Sequence, residues 1–377
     1  MPTANMTTTA TKTEDRNEEG MKLTRFSVGT SLARSDFDTP VTAAIRHKSR
    51  AIASESGTGK GTNPVNLLRP LVAQAHGILR ERFEAGGSVE HYLSARAKLA
   101  DSAVLSLLHI ASISNGIRSR SMIAPLAAIA VGGYGRKELA PGSDLDLLFL
   151  LPEGSRNCAS GCTPATKACI SVVIASFWDL GFVVDHAARS ASECLELARD
   201  DATVLAGLLD RRFLWGSFGL FASLDADVTA LLSGPDARRW RDAVGNALSN
   251  THRVASREMR ALEEEPDLKR GPGGLRDLQR AIWADTPASG HPNSFTEPSL
   301  VEARRFLWLV RCHLHLLTGR AEDRLSSSFQ PGITHRLGLD APCKSAGMRL
   351  LDLVRCHRRN VLAALGATPP SLRREQV

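Results

Sequence analysis

The chain has 377 residues and a formal net charge of +7, with 43% of residues hydrophobic and 23% charged. That balance is ordinary for a globular protein long enough to hold two or three cores, and no run of about 18 apolar residues is present to span a membrane. The arginines are dispersed and tyrosine is represented only by Tyr92 and Tyr134, so a base-stacking surface for nucleic acid is not indicated.

Residues 1–68 are rich in Thr, Ser, Ala and charge with weak periodicity, and are expected to be disordered. The first twenty lack an apolar h-region and carry acids, which predicts a cytoplasmic protein. "ESGTGKGT" (55–62) imitates a phosphate-binding loop, but the position that needs the first glycine is Ser54, and Gly61 follows Lys60. A linker is the better reading. The seven cysteines are odd in number and scattered through apolar segments, which suits reduced thiols; "CASGC" (158–162) has no second pair nearby for zinc.

From Leu67 to about Ile113 the pattern is helical, interrupted at Gly86-Gly87. "MIAPLAAIAV" (122–131) reads as a buried approach to the glycines that follow, and "DLDLLFLL" (144–151) as a strand. "TKACISVVIASFWDLG" predicts a helix closed by Gly181, and "FVVDHAARS" a short strand. "SASECLELARDDATVLAGLLDRR" predicts a further helix capped by Ser190 or Ser192. Beyond Trp215 the character is almost wholly helical, at 235–264, 299–320 and 346–365. The expected organisation is a disordered segment (1–68), a mixed α/β domain (69–215) and an α-helical domain (216–377).

Chemistry concentrates in "VGGYGRKELAPGSDLDLLFL" (131–150). Alternate strand residues share a face, so Asp144 and Asp146 stand side by side. Paired carboxylates suit Mg²⁺, a hard cation that keeps waters and accepts phosphate oxygens as further ligands. Gly132 and Gly133, lacking Cβ, let backbone N–H groups approach a triphosphate, and Ser143 offers a hydroxyl beside the first carboxylate. Asp-x-Asp alone is common at solvated strand ends, and Gly-Gly alone is usually a turn. The combination is more specific.

This combination resembles the polymerase-β-type nucleotidyltransferase superfamily, and "AVGGYGRKELAPGSDLDLLFLLP" resembles in particular the PII-protein uridylyltransferases. "LRERFEAGGSVEHYLSARAKLAD", "FWDLGFVVDHAARSASECLELARDDATV", "EPDLKRGPGGLRDLQRAIW" and "FLWLVRCHLHLLTGRAEDRL" are similar to that family too, in its order, over roughly residues 70 to 340. The resemblance implies a polymerase-β-type α/β domain followed by a helical domain. It implies transfer of UMP from UTP to a tyrosine of the PII signalling protein, with release of pyrophosphate. Asp144 and Asp146 would hold Mg²⁺, and Gly132, Gly133 and Ser143 would cradle the triphosphate. Nothing in the residues alone separates UTP from ATP, and another hydroxyl acceptor or an idle nucleotide- or PII-binding remnant would use the same motif.

The family continues into an HD hydrolase domain and paired ACT domains. No histidine here is followed by Asp, so uridylyl removal and glutamine sensing are expected to be missing. Asp185 stands where family members commonly have Gly, and is a candidate third ligand or general base or, equally, an exposed strand acid whose register is not fixed by sequence; Asp210 is a weaker rival, expected on the surface beside an Arg. "KRGPGGLRD" (269–277) has the form of a glycine turn opening a helix, able to receive an anion through its N–H groups; a structural connection locked by Arg276 and Asp277 is the favoured reading. His313 and His315, two apart on a helix, face different ways and read as packing.

Overall fold

The apolar residues either side of Gly86-Gly87 fold as two helices, α1 (Pro64–Glu84) and α2 (Val89–Ser114). They open a computed structural model that describes residues 64–114, 125–154, 163–235, 237, 239–240, 264–284, 297–339 and 346–364. The "ESGTGKGT" stretch, most of the N-terminal segment expected to be disordered and most of the helix expected at 235–264 lie outside those residues. α1 begins at Pro64, so residues 64–68 are already helical.

Four strands follow: β1 (Ala127–Ala130), β2 (Leu145–Leu150), β3 (Val184–Arg189) and β4 (Arg212–Gly216), in the order β3-β2-β1-β4. β1 runs antiparallel to both neighbours, whereas β2 and β3 are parallel. Parallel neighbours require a crossover, and α3 (Pro164–Asp179) supplies it, opened by the Thr163 cap and closed before Gly181 at φ +85°.

β2 is apolar on both sides. Leu145, Leu147 and Phe149 enter one core with α1, α2 and α3. Leu148 and Leu150 enter a second with Ala127, Ile129 and residues of α4 (Ala191–Asp200), α5 (Ala202–Leu209) and α6 (Phe218–Ser233). The face that carries Asp146 therefore becomes hydrophobic two residues further on.

Two elements differ from the sequence expectation. The single helix expected from Ser190 breaks at Asp201, whose carboxylate accepts the Thr203 N–H at 2.7 Å and restarts the chain as α5. Ser190, with Glu193, forms the capping box of α4. The helix was also expected to run through Arg212, but it ends at Leu209, and "RFLWG" becomes β4 against β1. Aromatic residues at a sheet edge override the helical run before them.

After β4 come α7 (Leu275–Ala284), α8 (Pro298–Thr318), α9 (Gln330–Arg336) and α10 (Ala346–Ala364). Leu268, Leu307, Leu314 and Val354 join the same core as Tyr92 and Leu99, so apolar packing continues across position 215. Among the described residues no helix is long and apolar enough to cross a membrane.

Candidate active-site cleft

The register of β3 on β2 decides which acids can meet. Asp146 pairs with Asp185 across the parallel ladder, and directly paired residues project from the same face. Asp144, one residue before β2, lies two positions from Asp146. The structure thus brings together the three acids 144, 146 and 185, with Asp146 half-buried and the other two exposed. Burial, then the charges of Asp144 and Asp185, push the Asp146 carboxyl up to about 6. Crowded carboxylates of this kind are relieved by a cation.

The glycines make a helical turn (Gly132–Gly135) immediately before these acids. Gly132 has φ +55°, and a Cβ there would lie 2.7 Å from Asp146 Oδ2. The turn approaches the carboxylate only because that position has no side chain. Arg212 braces it from β4, donating to the carbonyls of Tyr134 and Gly135 at 3.1 Å and to Asp101 at 2.9 and 3.0 Å. Tyr134 Oη donates to the same Asp101 at 2.7 Å. Gly132→Ala is expected to cost about 1–2 kcal/mol from the left-handed backbone and to displace the Asp146 carboxylate. Urea unfolding reads the first effect and nucleotide transfer the second.

Gly132, Gly133, Ser143, Asp144, Asp146 and Asp185 all line a cleft of about 550 Å³. The C-terminal part of the chain contributes Lys269, Arg270 and Arg276 to the same lining. Sequence reading did not assign these cations to the acids; the only available signal was their clustering around the glycines of "KRGPGG". Among the described residues no three His, Cys, Asp or Glu side chains already form a metal cage. The donor set nonetheless fits Mg²⁺: the oxygens are hard, one carboxyl is pushed up by burial and then by its acidic neighbours, and the cleft leaves room for ligands from water and phosphate.

Asp210 is not on the surface. Its side chain is 1% exposed and bonds to Arg136 Nη1, with the Trp283 indole donating to its other oxygen at 3.3 Å. Arg136 also donates to Glu138 at 2.6 Å, and Arg304 from α8 bonds to that same glutamate. This buried network holds the chain just after the glycine turn and joins it to the helical layer.

The loop bearing Ser143 and Asp144 is held from α8 as well. The Gly142 N–H donates to His315 Nδ1 at 3.0 Å, which leaves Nε2–H facing Asp323 at 3.4 Å. Burial holds His315 below its ordinary pKa and hence neutral. His313 stacks on Phe83 at 4.6 Å. The packing expectation describes His313 well, but His315 also positions the carboxylate loop.

Fold and site together define a mixed α/β protein whose cleft is lined by three carboxylates, a glycine turn and a group of cations. Residues 247–289 and 297–367 match the family model for GlnD PII-uridylyltransferase. The bifunctional uridylyltransferase/uridylyl-removing enzyme of Azospirillum brasilense is 34% identical over 316 residues, covering 76% of this chain and 31% of the relative. The enzymes of the same name from Ruegeria pomeroyi and Gluconobacter oxydans are 33% and 34% identical over 319 and 326 residues, or 80% and 76% of this chain. Over these spans the chain is similar to that family, and it spans 31% to 34% of the length of these three relatives.

Proposed function

We propose that this chain carries a polymerase-β-type nucleotidyltransferase site that moves UMP from UTP to a tyrosine hydroxyl of a PII protein in the cytoplasm. The reading keeps the division near residue 215, with the carboxylates on the α/β side and the cations on the helical side. The observation that carries it is the pairing of Asp146 with Asp185, against a glycine turn that only a missing Cβ lets so close.

In this reading Asp144 and Asp146 hold Mg²⁺, with Asp185 as third ligand or general base. The bound metal would neutralise charge developing on the α-phosphate. Gly132 and Gly133 approach the triphosphate with backbone N–H groups while Ser143 offers a hydroxyl. The phenolic oxygen forms a bond to the α-phosphorus, and the bond to the bridging oxygen of the β-phosphate breaks. Pyrophosphate leaves with that electron pair, and the phenolic proton passes to Asp185 or to water.

The test is transfer of labelled UMP from UTP to purified PII in the presence of Mg²⁺, ATP and 2-oxoglutarate. Label on PII is expected with the wild type and absent with the Asp144→Asn/Asp146→Asn pair. UTP binding without transfer to PII would overturn the acceptor assignment, and label from ATP but not UTP would overturn the nucleotide.

A further inference from the structure

The cations of the cleft fall into two groups. Arg136 and Arg304 are committed to Asp210 and Glu138, and Arg311 donates to Asp323 at 2.6 Å. Arg276 and Arg270 have no ion-pair partner among the described residues, and Lys269 reaches only Asp323, at 3.9 Å, which Arg311 already holds. Burial and then the like charges of Arg136 and Arg270 draw Arg276 below its ordinary pKa, and burial followed by Arg311 does the same to Lys269. Lys269 and Arg276 are half-buried and Arg270 is exposed; the cleft acids Asp144 and Asp146, with Asp323, only partly offset the burial and mutual repulsion of the first two.

Their backbone is fixed, and its donors are already used. Asp267 accepts the N–H groups of Lys269 and Arg270 at 2.8 and 2.6 Å, and Asp277 accepts that of Gly273 at 2.7 Å. The Leu275 and Arg276 N–H groups return to the carbonyls of Leu268 and Lys269 at 2.9 Å. Gly273, at φ +71°, lies so near Arg358 that a Cβ would come 2.2 Å from its carbonyl oxygen. The glycine turn is therefore the structural connection expected from the sequence, with no free N–H at these positions for an anion. What it presents to the cleft is side chains.

We propose that Lys269, Arg270 and Arg276 form a polyphosphate clamp that takes the β- and γ-phosphates of the bound nucleoside triphosphate and holds pyrophosphate as it leaves. The clamp rests on the nucleotide-site reading for its ligand and deepens it by dividing the work between the two parts of the chain. The α/β part holds the reacting phosphate with its metal, and the helical part takes the leaving group. An acidic protein segment is the other anion of suitable charge. Positions lining one cleft with carboxylates and a glycine turn suit a small polyanion with its own cation better than a docking surface.

The experiment is calorimetric binding of magnesium tripolyphosphate and of UMP to the full chain, as wild type, Arg276→Gln, Lys269→Gln and Arg276→Lys. Loss of one charge-assisted contact is expected to weaken tripolyphosphate by about 10- to 100-fold while UMP changes by less than about threefold. Arg276→Lys should recover part of the loss, and unchanged thermal unfolding shows that each variant is folded. The clamp is overturned if the wild type binds no tripolyphosphate, if folded variants bind it like wild type, or if UMP weakens in parallel. Displacement of an acidic peptide alone by these substitutions would overturn it in favour of acceptor docking. Tripolyphosphate loss in variants of a protein that transfers no UMP supports the clamp and rejects the transfer reading; transfer with unaltered tripolyphosphate affinity does the reverse.

Discussion

Asp146→Asn is expected to reduce UMP transfer by about a thousandfold or more, equivalent to roughly 4 kcal/mol of transition-state stabilisation, while making the metal-free protein more stable at neutral pH. The two effects have one cause. Asp146 is half-buried beside Asp144 and Asp185, and its carboxyl is pushed up to about 6 from an ordinary 3.8. The folded chain thus holds a proton that the unfolded chain has released between those values. Stability from this group is complete below about pH 3.8 and is lost as pH rises through about 6, by at most about 3 kcal/mol, less whatever solvent screens. Asparagine removes the repulsion and with it the charged ligand. Thermal unfolding at pH 5 and 7.5, with and without Mg²⁺, checks the stability half. Mg²⁺ should raise the wild-type midpoint at pH 7.5 and leave Asp146→Asn unmoved. A variant that retains transfer, or is less stable than wild type in the absence of metal, would sink this account of the site.

Arg136→Met should lower folding stability by about 3–5 kcal/mol, the range for breaking a buried ion pair from one side. Its guanidinium faces both Asp210 and Glu138, whose side chains are 1% and 6% exposed. Burial works against the charge on Glu138, and Arg136 and Arg304 more than offset it, leaving its carboxyl below the usual range. With Arg136 gone, Arg304 still serves Glu138, but Asp210 keeps only the Trp283 indole. A second substitution, Asp210→Asn, should recover part of the loss because it removes the stranded charge rather than restoring a contact. Urea unfolding of the two single variants and the double measures this coupling. A loss under about 1 kcal/mol for Arg136→Met, or strict additivity in the double, would show that the network is solvated. The same variants bear on Asp210 itself. Both its oxygens are occupied, so its role is to hold the chain after the glycine turn, and a metal-ligand role would require it to abandon Arg136.

Much of this molecule was legible from local pattern. The two N-terminal helices, the buried strand after Ser143, the helix closed at Gly181, the Ser190 cap and the helix after "KRGPGG" follow from apolar spacing, caps and glycines, which act within a few residues. β4 was missed because its five residues adjoin a strongly helical run, and only pairing with β1 makes them a strand. The surface placement of Asp210 failed for a related reason. A nearby Arg in sequence suggested a solvated pair, whereas the actual partner, Arg136, lies 74 positions away.

The candidate site divides along the same line. The glycine turn, the Asp144/Asp146 pair and the family resemblance could be read locally, because those depend on residue identity and short spacing. Long-range packing set Asp185 beside Asp146, since strand register is not a local choice and one step would turn the acid to the opposite face. It also decided that His315 braces the Gly142 loop and that the second glycine loop offers side chains rather than N–H groups. The carboxylates of β2 and the cations lie more than a hundred residues apart in the chain, and their meeting in one cleft depends on the core shared by the sheet and the C-terminal helices.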